Sequence, residues 1–343
     1  MQTVEPRGRR IVLAHGGGGQ LTDELLAGII RPRVDNPILS EMDDSAVVSV
    51  PASRLAFTTD SYVVRPLEFP GGDIGRLAVC GTVNDLAVSG AEPIGISLSL
   101  ILEEGLELER LERILDSVGR TAQEAGVQIL TGDTKVVARS QADGIYINTA
   151  GIGIVRAAEP LSVRRIQPGD VVLLNGPIAE HGLAVMLSRE TDLGFSTELV
   201  SDVAPLNGLL LPLVEQVGDG LLFMRDPTRG GLAGVLAELA ERTRLRLVCD
   251  ETKIPIRAET RYAAELLGLD PLEVANEGKV VVVVRPEAVD RTLKLLRQHP
   301  LGRQATVIGE FQDETDGICE LVTRVGGRRI IQKPYGEQLP RIC

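Results

Sequence analysis

The chain has 343 residues, too many for one ordinary hydrophobic core and a common length for two domains. Hydrophobic residues make up 43% and charged residues 24%, a globular composition that excludes a disordered chain or a fibre. With 36 basic against 48 acidic residues the net charge is -12, and basic pairs such as Arg9-Arg10 and Arg164-Arg165 stand isolated, which argues against a nucleic-acid binder. No apolar run reaches the roughly 18 residues of a spanning helix, and residues 1–10 carry three arginines without the apolar stretch of a signal peptide, so no membrane association is expected. Cys80, Cys249, Cys319 and Cys343 are scattered with no CxxC, which points to a reducing cytoplasm.

In chain order, the patterning predicts strands at Ser45 to Val50 and Arg54 to Thr59, then a helix over Gly72 to Ser89 opened by Asp73. A strand at Ile94 to Leu102 precedes a helix over Glu107 to Ala125, whose apolar residues fall at 108, 111, 114, 115 and 118. Strands follow at Gln128 to Leu130 and Ile145 to Val155. The pattern loosens from Ala157 to Gly169, and Gln167-Pro168-Gly169-Asp170 is a turn signal before a strand at Val171 to Leu174. Helices are expected at Ala179 to Arg189, Leu206 to Val217, Gly230 to Arg242, Arg257 to Leu267 and Pro286 to Gln298. Strands are expected at Lys279 to Arg285, Thr306 to Glu310 and Ile318 to Val325, before a polar tail from about Gln332. Strands and helices mixed on both sides of a turn-rich boundary give an α+β, two-domain expectation: residues 1–156, residues 157–331, and a flexible tail at 332–343.

Carboxylates gather in unusual places. Glu41-Met42-Asp43-Asp44-Ser45 precedes a strand, while Thr58-Thr59-Asp60-Ser61 and Gly132-Asp133-Thr134-Lys135 are expected to end two others. Asn84-Asp85 interrupts a segment that is otherwise almost wholly apolar or small, where a lone ionised carboxylate costs several kcal/mol unless paired or bound to a metal. Each acid taken singly also suits a helix cap or surface turn. Together they suit hard-oxygen ligands for Mg²⁺ shared with the phosphates of a nucleotide triphosphate. In His15-Gly16-Gly17-Gly18-Gly19 the bare backbone N–H groups of residues such as Gly17 and Gly18 can wrap phosphate oxygens, although glycine runs also serve as linkers, and no Gly-Lys-Ser/Thr follows to make a Walker A loop. His15 by itself reads as structural.

Arg225-Asp226-Pro227-Thr228-Arg229-Gly230-Gly231 places Thr228 or Arg229 near a helix N-terminus, where anions are favoured; a surface turn with an Asp–Arg pair is the competing reading. Asn276-Glu277-Gly278-Lys279 leads into a valine-rich strand, making Glu277 either a general base or a turn acid. Lysine occurs at only five positions (135, 253, 279, 294 and 333), so Lys135 stands out as a compact ammonium in an arginine-rich chain. The last four residues, Pro340-Arg341-Ile342-Cys343, end the chain on a thiol that is exposed by default and is not a prenylation box. From Ile331 the tail can extend roughly 40 Å, enough to swing that thiol between its own cleft and an outside partner.

The run Glu41 to Ala46, Phe57 to Ser61, Phe69 to Gly75 with Gly81 to Leu86, and Gly132 to Lys135 resembles the aminoimidazole-ribonucleotide-synthetase-like ATP-binding superfamily. Within it, the terminal Pro-Arg-Ile-Cys is similar to that of the HypE family, the carbamoyl dehydratases of [NiFe]-hydrogenase maturation; selenophosphate synthetase, thiamine-monophosphate kinase and the purine enzyme share the acidic motifs but not this tail. The resemblance implies an N-terminal domain that pairs with a second copy into a dimeric β-barrel with flanking helices, and a C-terminal α/β sandwich. It implies that a carbamoyltransferase, HypF, loads a carbamoyl group onto Cys343. The homodimer would then use ATP to dehydrate it to a thiocyanate for the iron of a HypC–HypD complex. Asp44, Asp60, Asp85 and Asp133 then fall where Mg²⁺–ATP is held, and Lys135 and Glu277 near the reacting amide. Two other readings stay open: a carrier that presents a modified thiol and uses nucleotide only as a switch, and a small-molecule kinase or synthetase whose activity survives loss of the tail.

Overall fold

The computed structural model describes residues 10–12, 24–36, 54–189, 199–334 and 341–343. The expected strand at Ser45 to Val50, the acidic motif with Asp44, and the glycine run with His15, Gly17 and Gly18 lie outside these residues.

The first unit is a four-stranded sheet carrying two helices. Its strands are β1 (Leu55–Tyr62), β2 (Ala91–Glu103), β3 (Gln128–Val137) and β4 (Ile145–Val155), in the order β1-β4-β2-β3. Only β2 and β3 run parallel, and the helix between them, residues Leu108–Ala125, supplies the crossover that parallel pairing requires. That helix buries Leu108, Leu111, Ile114, Leu115 and Val118, the stripe expected from its spacing. Helix α1 (Ile74–Val88) starts where the Asp73 carboxylate accepts the N–H groups of Gly75 and Arg76, at 2.8 and 2.9 Å. It is apolar all round because it is covered all round, by β1, β2 and β4, by the helix Leu108–Ala125, and by helix Asn207–Val217 of the second unit.

Strand lengths differ from the sequence expectation at two motifs. β1 runs on to Tyr62 and β3 to Val137, so Asp60, Asp133 and Lys135 lie within strands and not beyond their ends. Ladder hydrogen bonds to β4 and β2 carry these polar stretches, which alternation of apolar residues alone does not reveal.

The second unit is a seven-stranded sheet. In chain order its strands are β5 (Val171–Leu174), β6 (Leu221–Arg225), β7 (Arg246–Asp250), β8 (Val281–Val284), β9 (Thr306–Gln312), β10 (Cys319–Val322) and β11 (Arg328–Ile331). Their order across the sheet is β11-β10-β7-β9-β5-β8-β6, antiparallel except for β10 against β7. β6, β7 and β11 were not expected as strands, being segments of four or five residues with only two to four apolar positions each, too short for periodicity to separate a strand from a connection. All four valines of β8 are fully buried, since helices cover both faces of this sheet. Among the described residues no helix is long and apolar enough to cross a membrane.

Candidate active site

Side chains at alternate positions of β1 face opposite ways, and the even-numbered ones point at α1. Thr58 Oγ1 donates to Asp85 Oδ2 at 2.7 Å, and Tyr62 Oη donates to Asp60 Oδ2 at 3.2 Å. Gly81 of α1 permits this approach, because a Cβ there would sit 2.2 Å from Tyr62 Oη. Asn84, not Asp85, is the wholly buried member of its pair: its amide donates to the carbonyls of Ala204 and Glu277 at 3.1 and 3.3 Å, and its Oδ1 accepts Leu206 N–H at 2.7 Å. Asn84 therefore ties the second unit to α1, while Asp85, one residue on, opens toward the space between them. Burial, opposed by the Thr58 hydrogen bond and reinforced by the charge of Asp60, raises the Asp85 carboxyl above its usual range.

The second unit contributes a facing set of acids. Val281 of β8 pairs with Arg225 of β6, so the residues leading into β8 lie beside those leaving β6. Asn276 cements the two loops through hydrogen bonds from its backbone and side-chain nitrogens to Pro227 O, at 3.1 and 2.9 Å. Asp226 is pushed up to about 7 by burial and then by the charge of Asp85. Glu277, 3% exposed, is raised well above the carboxylate range by burial, then by Asp226, Asp202, Asp60 and Asp85. The charges of Asp60 and Asp85 from the first unit thus act on Asp226 and Glu277 of the second. Arg225 does not pair with Asp226, as a surface turn would have it, but with Glu238 at 2.7 Å.

Hard carboxylate oxygens at mutually repelling sites suit Mg²⁺ accompanied by phosphates. Among the described residues no three His, Cys, Asp or Glu groups converge into a ready-made metal cage. The donor set fits an ion that arrives with its nucleotide and keeps other ligands.

Asp133 and Lys135 are not brought to these acids within one chain. Ser61, Asn148, Ser99 and Asp133 form one cross-strand row on the sheet face turned away from α1. Asp60 therefore faces one side and Asp133 the other, three strand spacings or about 14 Å apart. Lys135 Nζ, on the same open face, sits 3.4 Å from Asp133 Oδ1.

The terminal residues are seated, not exposed. Val63 N–H donates to Cys343 O at 3.1 Å and Arg65 N–H to Arg341 O at 3.2 Å, extending the β1 segment with a short stretch of tail. Ile342 is 3% exposed and Cys343 packs beside it against the core of the first unit. Arg341 reaches Asp143 and donates from Nε to Val63 O at 3.1 Å.

Below the tail lies a buried charged group that sequence reasoning missed. Lys279 Nζ contacts Asp202 Oδ2 at 2.9 Å and Glu180 Oε2 at 3.5 Å, and Arg257 Nε contacts Glu180 Oε1 at 3.0 Å. Burial would raise Asp202, but the Lys279 ammonium, with the hydrogen bonds from Lys279 and the Glu277 N–H, outweighs it and holds the carboxyl below its usual range. Asp202 also accepts the N–H groups of Glu277 and Gly278, both at 3.2 Å. Gly278 is required here, since a Cβ would meet Asp202 O at 1.9 Å. The scarcity of lysine was the one signal pointing to Lys279, and the acid leaving β6 the one pointing to Asp226.

Residues 42–155 match the N-terminal domain model of AIR synthase related proteins, and residues 167–321 match the C-terminal one. Carbamoyl dehydratase HypE of Rhizobium leguminosarum bv. viciae is 49% identical over 334 residues, 97% of this chain and 95% of the relative. HypE of Escherichia coli K12 is 43% identical over 340 residues, 97% of this chain and 99% of the relative. A crystal structure of the hydrogenase maturation protein HypE in complex with ATP superposes with a TM-score of 0.92 at 42% identity, covering 97% of this chain and 99% of that one. In a HypE–HypF complex the corresponding chain gives a TM-score of 0.79 at 42% identity, with 92% and 100% covered. Thiamine monophosphate kinase of Aquifex aeolicus, 16% identical with a TM-score of 0.59, shares the fold. The chain belongs to the HypE family of carbamoyl dehydratases, a branch of the AIR synthase related proteins.

Proposed function

We propose that the chain is an ATP-dependent carbamoyl dehydratase acting on its own C-terminus, converting S-carbamoyl Cys343 to S-cyanocysteine for the iron centre of a [NiFe] hydrogenase. The observation that carries this reading is the seating of Arg341–Cys343 against Val63, Arg65 and His181, whose partner Ser201 is followed by the Asp202 that accepts the Glu277 N–H. The oxygen of a thiocarboxamide is a poor leaving group; phosphorylation by ATP makes it a good one. Two protons must leave the amide nitrogen before the C≡N bond is complete, one as the oxygen is phosphorylated and one as phosphate departs. Glu277, desolvated and ringed by negative charge, is a strong carboxylate base when ionised and is the group we assign to take them. Asp44, Asp60, Asp85 and Asp133 are assigned to Mg²⁺–ATP, with Asp226 added to them, and Gly17 and Gly18 to its phosphates. Mg²⁺ supplies charge neutralisation on those phosphates when bound.

A homodimer completes the site. The open face of the first sheet exposes Leu55 at 48%, Phe57 at 75% and Ile101 at 40%, an apolar surface that pairing into a β-barrel would cover. Asp133 and Lys135 share that face, so in the pair they serve the cleft of the other subunit, Lys135 balancing charge on the transferring phosphoryl group. HypF is the proposed donor of the carbamoyl group, on the strength of the relative's HypE–HypF complex, and HypC–HypD the proposed acceptor of the cyanide; we place both exchanges in the cytoplasm.

Intact-mass analysis after incubation with carbamoyltransferase, carbamoyl phosphate and ATP tests this. Gain of a carbamoyl group followed by ATP-dependent loss of one water, with ADP and phosphate released in step, is the expected result. A carbamoyl adduct that persists in ATP identifies a carrier instead.

A further inference from the structure

His181 is one of three histidines in the chain and is fully buried in the first turn of the helix Glu180–Leu187. Its Nε2 lies 3.0 Å from Ile342 O, and its Nδ1 lies 2.8 Å from Ser201 Oγ. A carbonyl oxygen can only accept, so Nε2 carries the proton. Burial lowers the imidazole pKa, against the charge of Asp202 and the Ile342 hydrogen bond, so the ring is neutral and Nδ1 accepts from the Ser201 hydroxyl. That hydroxyl oxygen in turn accepts Val203 N–H at 3.1 Å. Phe69 meets the imidazole edge-on at 5.4 Å between centroids and 84° between planes, which fixes the ring's rotation. The preceding residue, Ala179, holds φ at 73° although it is not glycine, with its N–H donated to Asn276 Oδ1 at 2.7 Å. Such a conformation persists only where its surroundings enforce it, and here it aims the first turn of the helix at the tail.

We propose that His181 is a positioning residue for the C-terminal segment: the Nε2–H bond to the Ile342 carbonyl seats Cys343 in the cleft, and its rupture releases the tail. A bond to a backbone carbonyl recognises where the tail is without contacting the thiol, so it holds the tail in the same way whether the sulfur is bare or carbamoylated. Arg189 shares the task, donating from Nη2 to Arg341 O at 2.7 Å and from Nε to Arg65 O at 2.6 Å. The inference rests on Cys343 being the group carried into the cleft, and its test needs no turnover.

The rate of Cys343 alkylation by iodoacetamide, followed by intact mass on the full chain, reads how often the tail leaves its seat. His181→Asn keeps an acceptor for Ser201 but cannot reach Ile342 O, and should raise that rate roughly tenfold. His181→Gln, whose amide nitrogen stands near the original Nε2, should restore it to within about twofold of wild type. In S-carbamoylated protein, His181→Asn should slow dehydration while the KM for ATP stays unchanged, and Gln should rescue it. Equal alkylation of the Asn, Gln and wild-type chains overturns the proposal, as does an Asn variant whose KM for ATP rises with no change in alkylation. Should the variants fail to fold, ¹⁵N-histidine spectra of the wild type decide: the slowly exchanging Nε2–H of His181 should vanish when residues 341–343 are removed, and its persistence refutes the latch.

Discussion

Ser201 and Asp202 are consecutive residues that hold different parties to the proposed reaction. Ser201 Oγ orients His181, whose other nitrogen meets Ile342 O of the tail, while the Asp202 carboxylate accepts the N–H groups of Glu277 and Gly278. The seat of the reacting thiol and the loop of the base are thus referred to one short backbone segment, itself tied to α1 through Arg76 Nε and Val203 O at 3.0 Å. A displacement of this segment would move both anchors together, keeping the proposed base and the seated tail in register.

The first prediction concerns the modified cysteine. Cys80, Cys249 and Cys319 are buried, and burial raises the Cys80 thiol far above its usual value; Cys249 is raised by its contact with Cys319 and by burial. Thiolate is the reactive form, so these three should stay inert. Cys343→Ala should abolish carbamoyl attachment with thermal stability and ATP binding intact, and peptide mapping of the wild-type adduct should find it on Cys343 alone.

Asp85→Asn should weaken Mg²⁺–ATP binding by roughly tenfold or more, measured by calorimetry. The same change relieves repulsion with Asp60 and Asp226, so the melting temperature should hold or rise. Unchanged affinity in a stable variant would make Asp85 a structural acid.

Glu277→Gln should accept the carbamoyl group and bind ATP, yet dehydrate about 10²–10⁴-fold more slowly in single-turnover mass measurements. A base works only when deprotonated, and the Glu277 carboxyl is raised. The wild-type rate should therefore climb with pH through a range above that of ordinary carboxylates, and the Gln variant should lack this limb.

Asp226 gives a stability test with a definite sign. Its folded pKa of about 7 lies above the ordinary 3.8, so the folded state binds the proton more tightly and this group costs stability as pH rises between those values. Asp226→Asn should raise the melting temperature at pH 8 and change it little near pH 4. An equal shift at both pH values would locate the effect in packing.

Mixing two dead variants tests the shared cleft. If Lys135 serves the other subunit, a dimer of Lys135→Ala with Glu277→Gln contains one intact site, and random pairing should return roughly a quarter of wild-type dehydration. Return of no activity after subunit exchange would confine Lys135 to its own chain.

Much of this protein is legible in one dimension. The stripe from Leu108 to Val118, the Asp73 cap and the apolar run of β8 follow from local periodicity, which a helix or strand obeys wherever it lies. The acidic motifs and the terminal Pro-Arg-Ile-Cys carry the resemblance to the HypE family, and it is that resemblance which implies ATP-dependent chemistry on a thiol. Tertiary structure alone decided how they are arranged. Parity along β1 and the ladder register put Asp60 and Asp133 on opposite faces of one sheet, a relation no spacing in the sequence encodes. Antiparallel pairing of β6 with β8 brought Asp226 beside Glu277 across about 50 residues of chain. His181, Ser201, Asp202 and Ile342 met through space, each unremarkable in its own segment, since the hydrogen bonds that join them depend on how two domains pack and not on any local pattern.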